Sequence, residues 1–153
     1  MAVSEQILAV LSPHRPSRLK FLTDSALNDS NKSFTAPLTK LWKVHWVRAQ
    51  LIATATVGGR EIRIKLMDAS PTPVVTWEAI TISPQTASTT ENYYGALGVA
   101  GQGTETPGGR HYMPFPSELW VPGGWAIQIL DNAGIDFTAD DLTIQMMVQE
   151  FDA

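Results

Sequence analysis

The sequence predicts an all-β protein, a β-sandwich of jelly-roll type. Apolar and polar residues alternate over segments of strand length, as in Glu61-Ile62-Arg63-Ile64-Lys65-Leu66, the period of a half-buried strand. Such segments recur every ten to fifteen residues or so, between turns rich in Gly, Pro, Asn and Asp. Charged residues are only 17% of the chain while Thr, Gly and Pro are plentiful, which suits a loop-rich sandwich better than a helical bundle.

At 153 residues the chain is long enough for one domain with a proper core. Residues 1–38 read as an extended, partly helical N-terminal arm. Ser4 caps a short helix through Leu11 that stops before Pro13. In Ser17–Leu27, Leu19, Leu22 and Ala26 fall at helical spacing, before Asn28, Asp29, Ser30 and Asn31 turn the chain.

Residues 39–153 read as the sandwich domain. Trp42, Val44 and Trp46 share one face of the first strand, and Val47, Ala49, Leu51, Ala53 and Ala55 continue the apolar set with opposite parity. That change requires an extra residue, a β-bulge near Trp46-Val47, which would bend one long strand to serve two sheets. Val57-Gly58-Gly59-Arg60 predicts a hairpin turn, with Ile62, Ile64 and Leu66 returning inward. Val74–Ser83 predicts one or two short strands and Thr86–Tyr94 another. Gly95–Pro116 holds six glycines and three prolines and reads as a long irregular loop, a kind usually functional or mobile. After Pro122-Gly123-Gly124 a strand carries Trp125, Ile127 and Ile129. The last strand carries Leu142, Ile144, Met146 and Val148. Trp46, Trp77 and Trp125 are expected to fill the core.

Signals of chemistry are sparse. The chain has no cysteine, so disulfides, thiolate metal sites and Cys nucleophiles are excluded. Gly98-Val99-Ala100-Gly101-Gln102-Gly103 lacks the Lys-Ser/Thr ending and the following helix of a phosphate loop. Asp131, Asp136, Asp140 and Asp141 offer oxygens for Ca²⁺, but Ala133 and Ile135 break the EF-hand order, and a turn is the simpler reading. His14, His45 and His111 are scattered, with no nucleophile elbow nearby. No cofactor and no enzymatic activity are expected. No segment reaches the roughly 20 apolar residues needed to span a bilayer. The N-terminus does not read as a signal peptide, since Glu5 interrupts its short apolar run. No membrane partner is expected.

Charge divides the chain. Through Arg48 there are seven basic and three acidic residues; beyond it there are four basic and twelve acidic, for a net −4. The acidic domain argues against nucleic acid, and the basic arm toward a protein partner. Tyr93, Tyr94, His111 and Tyr112 flank the Gly-rich loop and are the expected contact residues, since aromatic side chains anchor interfaces and stack on sugars.

Leu51-Ile52-Ala53-Thr54-Ala55-Thr56-Val57-Gly58-Gly59-Arg60 and Trp120-Val121-Pro122-Gly123-Gly124-Trp125-Ala126-Ile127, with Asp131-Asn132-Ala133-Gly134-Ile135-Asp136, resemble small virion structural proteins of tailed bacteriophages over about residues 40–150. The resemblance implies a subunit located on the virion, most plausibly a capsid decoration (cement) protein sitting on the shell as a homotrimer. Its implied partners are the major capsid protein or another virion protein, and copies of itself. Arg15, Arg18 and Lys20 of the arm would then meet an acidic capsid exterior. A tail, baseplate or head–tail connector subunit is the alternative within that class. A carbohydrate-binding sandwich for host recognition is the alternative outside it.

Overall fold

A computed structural model describes residues 17–27, 31–81, 84–99, 103–105, 109–131 and 139–153. Its strands are β1 (Ser17–Asp24), β2 (Asn31–Thr35), β3 (Lys40–Ile52), β4 (Ile62–Met67), β5 (Val75–Ile80), β6 (Thr90–Ala96), β7 (Gly103–Glu105), β8 (Arg110–Met113), β9 (Trp120–Val121), β10 (Ala126–Asp131) and β11 (Asp141–Asp152). No helix occurs among the described residues.

The strands form two sheets. The larger runs β1-β11-β3-β6-β8-β7, with β9 beside β3; the smaller runs β2-β10-β4-β5. The antiparallel pairs β1·β11, β2·β10, β3·β6 and β4·β5 nest one inside the next along the chain. β11·β3 and β10·β4 then join them side by side. A long ribbon folded at its middle and rolled in this way is a jelly roll. β7, β8 and β9 are inserted between its sixth and seventh strands.

The core lies between the sheets. Val44, Val47, Ala49 and Leu51 of β3 and Leu142, Ile144, Met146 and Val148 of β11 face Ile62, Ile64 and Leu66 of β4 and Ile127 and Ile129 of β10. Burying each large aliphatic side chain contributes about 1.5–3 kcal/mol, so these alternating strands hold the sandwich. Trp77 and Trp125 pack against its margin, with Trp77 edge-on to Phe115 at 5.4 Å.

Several expectations are corrected. The helix expected over Ser17–Leu27 is a strand through Asp24. Its residues alternate, with Arg18, Lys20 and Leu22 opposite Glu150, Val148 and Met146 of β11, and this long-range ladder overrides a weak helical spacing. The helix expected over Ser4–Leu11 lies outside the described residues. The residues expected as the end of an arm thus supply the first strand of one sheet and, in β2, the first strand of the other.

The bulge sits at His45, slightly earlier than expected. Trp46 pairs with Met147 and Val44 with Val148, leaving His45 as the extra residue. Val44 and Val47 are therefore both inward, while Trp46 turns to the outer face, against its expected place in the core.

The expected hairpin is absent. β3 belongs wholly to the large sheet and β4 to the small one, so 53–61 crosses the end of the sandwich. Arg60 fixes that crossing. Fully buried, it pairs with buried Asp140 at 2.8 Å and donates to the carbonyls of Thr56 and Gly58 at 2.8 and 2.9 Å. Asp140 also accepts from the Thr54 N–H at 2.7 Å. Gly95–Pro116 is not wholly irregular, since it contains β7 and β8.

Candidate functional site

β6 and β8 run parallel, with Tyr93 beside His111 and Tyr94 beside Tyr112. Strand alternation sends the two pairs to opposite faces. Tyr93 and His111 are buried at 1% and 8% exposure, with rings stacked at 4.8 Å. The Tyr93 hydroxyl donates to Gln85 Oε1 at 2.9 Å, and His111 Nε2 hydrogen-bonds Glu91. Burial, reinforced by the nearby Glu91 carboxylate, pushes the Tyr93 phenol well above its ordinary range. This pair is an internal polar network and presents no contact surface, contrary to the expectation for both residues.

Tyr94 and Tyr112 occupy the outer face of the large sheet, with rings 5.9 Å apart. They line a cavity of about 570 Å³ with Trp46, Ala96, Val99 and Arg110. The cavity ends an apolar row across four strands, because register places Phe21 beside Met147, Met147 beside Trp46 and Trp46 beside Ala96. The Phe21 and Trp46 rings lie 6.2 Å apart. Phe21 is 65% exposed and its neighbour Leu19 62%. Lys43 flanks the row on one side, 5.3 Å over the Trp120 ring. On the other side Arg48 donates to Gln145 and Asn92 at 3.2 and 2.9 Å. The outer face is thus an aromatic stripe bordered on one side by the Lys43–Glu118 ion pair, at 2.9 Å, and on the other by Arg48.

Sequence reasoning missed Phe21, Trp46 and Met147 as parts of this face. The alternation of Leu19 and Phe21 against Arg18, Lys20 and Leu22 was the available signal for β1. For Trp46 the signal was the exact position of the bulge, which moves its side chain from one face to the other.

Arg18 and Lys20 lie on the inner side of β1. Glu150, opposite both Arg18 and Trp42, accepts from Arg18 at 2.7 Å, Lys20 at 3.2 Å and the Trp42 indole N–H at 2.9 Å. These contacts, the indole first, hold its carboxyl down to about 2 although burial opposes them. The two cations therefore clip β1 to its own sheet. Arg15 lies outside the described residues. In the acidic turn, Asp140 is engaged by Arg60 and Asp131 accepts from the Glu61 N–H at 3.2 Å, while Asp136 lies outside the described residues.

No protein-family profile matches the chain, and no curated protein matches it. Among solved structures it is similar to a chain of infectious bursal disease virus strain Gx, at 12% identity and a TM-score of 0.38, over 86% of this chain and 33% of that one. It spans about a third of that chain's length. It is also similar to a chain of turnip yellow mosaic virus, at 8% identity and a TM-score of 0.35, over 93% and 83%. A tomato aspermy virus chain gives 12% identity and a TM-score of 0.36, over 100% and 96%. All three likenesses are distant.

Proposed function

We propose that this chain is a non-enzymatic structural subunit of a tailed-phage particle, a capsid decoration protein seated on the shell through the outer face of its large sheet. The observation that carries the reading is the row Phe21–Met147–Trp46–Ala96 and the cavity at its end. Contiguous exposed apolar surface on a rigid scaffold marks an interaction site. Aromatic anchors within a polar rim match the make-up of protein interfaces. On that rim Arg48 hydrogen-bonds the neutral side chains of Gln145 and Asn92 and keeps its positive charge, which suits an acidic shell, while Lys43 is paired with Glu118 at 2.9 Å. A fold supports many functions, so the kind of assembly is taken from the sequence resemblance to tailed-phage virion proteins.

The test is binding to particles of the phage that encodes the chain, stripped of this protein. Wild type should re-bind, and Trp46→Ala should weaken binding by roughly 30-fold, the loss typical of an interface anchor worth about 2 kcal/mol. Undiminished binding by Trp46→Ala and by Tyr112→Ala would contradict the reading.

The cavity itself favours one second reading, a carbohydrate site in which Tyr94 and Tyr112 stack on a sugar. Glycans would then quench tryptophan fluorescence through Trp46, and Tyr112→Ala would abolish the effect. Silence across a glycan panel would dismiss it.

A further inference from the structure

Apart from β9, two residues long beside β3, the two sheets have four edges among the described residues, and three are guarded or short. β7 has three residues and β2 has five. β5 is bulged, since Trp77 pairs with Leu66 and Val75 with Met67 while Thr76 is skipped. Bulges and short edges are the means by which proteins keep sheets from pairing with strangers.

β1 differs from all three. Its eight residues pair with β11 in one unbroken register, from Ser17 opposite Phe151 to Asp24 opposite Ile144. It contains no proline, glycine or bulge. The cations that would defend it, Arg18 and Lys20, are turned onto Glu150. Leu19 and Phe21, on its other face, are more than half exposed. A long, regular, apolar edge is a template for another strand.

We propose that β1 pairs with β1 of a second copy of this chain, antiparallel about a twofold axis, with Phe21 opposite the partner's Phe21. The order of charge along the strand selects this occupant and register. Arg18 lies near one end and Asp24 at the other, each holding an intramolecular partner, Glu150 at 2.7 Å and Lys32 at 3.6 Å, with the Arg18 side chain still 70% exposed. Antiparallel pairing centred on Phe21 brings the partner's Asp24 to Arg18 as a second carboxylate at both ends. Opposite charges directly across a ladder stabilise it, and like charges do not. Centring on Leu19 would oppose Arg18 to the partner's Lys20, and centring on Lys20 would oppose lysine to lysine. Centring on Leu22 would match Lys20 with the partner's Asp24 at both ends, equal in charge, but would leave a ladder of five residues in place of seven, so ladder length decides between these two registers. In the Phe21 register both apolar rows meet at the axis, and the large sheet continues from one copy into the next. Such an interface is isologous and closes at two copies, where the sequence resemblance implied three. It rests on the edge geometry and is independent of the virion reading.

The absence of native cysteine makes single-cysteine variants a direct test of register. Opposed Cα atoms in an antiparallel pair lie about 4.5–5.5 Å apart, within the roughly 4.4–6.8 Å that a disulfide bridges. Full-length Phe21→Cys should form a covalent dimer on mild oxidation. Thr23→Cys alone should not, because its two copies sit about 13 Å apart along the strands. A mixture of Leu19→Cys and Thr23→Cys should give the mixed dimer. By sedimentation equilibrium, wild type should have twice the monomer mass. Phe21→Lys should be monomeric with a wild-type β-sheet circular dichroism spectrum, since the side chain is 65% exposed, and its unfolding midpoint should lose the concentration dependence that a dimer confers. The proposal is overturned by a wild-type monomer at about 100 µM, by an oligomer that survives Phe21→Lys, or by Thr23→Cys cross-linking as readily as Phe21→Cys.

Discussion

Glu150 is the residue on which the first strand hangs. A carboxylate at 3% exposure with an indole N–H and two cations is favoured strongly in its charged form. Its folded pKa, about 2, lies below the ordinary 4.5. The stability it contributes is therefore present in full above about pH 4.5 and is lost as pH falls toward 2. Protection factors of the β1 amides, corrected for the intrinsic pH dependence of exchange, should fall through that window in wild type, and Glu150→Gln should flatten the dependence. An equal acid response in Glu150→Gln would remove Glu150 from the account. Arg60 is the second such residue. Arg60→Ala would strand Asp140 as a buried, unpaired charge, which costs about 3–5 kcal/mol. A urea midpoint close to wild type would show that the loop relaxes to admit water. Neither role was legible in the sequence, because each depends on a partner at least 80 residues away.

At the scale of elements, β4, β10 and β11 were legible because they alternate cleanly and bury one face. β1 was not, since eight residues with Leu19 and Leu22 satisfy a helical spacing as readily as a strand until β11 is placed beside them. The β3–β4 hairpin was misread for a related reason. Its turn residues were recognised, but the sheet a strand joins is decided by remote partners, and Arg60 carries the chain across the sandwich. β8 was hidden by the glycines and prolines around it. The turn before β10 was legible, and the structure adds why Gly123 is required: a Cβ there would run into the Leu38 carbonyl. Gly123→Ala should cost about 1–3 kcal/mol through this overlap, read as a lowered thermal midpoint. No change would mean that the turn at residues 37–39 yields.

At the scale of the whole molecule, the charge division first visible in the sequence acquires a different meaning. Arg18 and Lys20 of the basic segment hold β1 to its own sheet, while Lys43 and Arg48 border the aromatic stripe on the outer face. Of the described residues expected to make contacts, only Tyr94 and Tyr112 lie on that face, and Tyr93 and His111 lie behind it. Period-2 alternation separates these pairs, but proximity to one loop suggested a single group. The all-β sandwich class was legible from strand spacing and turns; the strand order was not, since β1 and the β3–β4 connection were misread. The apolar row on the outer face was not legible either, because it is assembled from one residue on each of four strands that only the sheet order brings together. The claim that this face is where the molecule docks is tested most directly by re-binding of wild type and Trp46→Ala to particles stripped of the protein. The account predicts full occupancy for wild type and roughly 30-fold weaker binding for the variant; equal occupancy at equal concentration would contradict it.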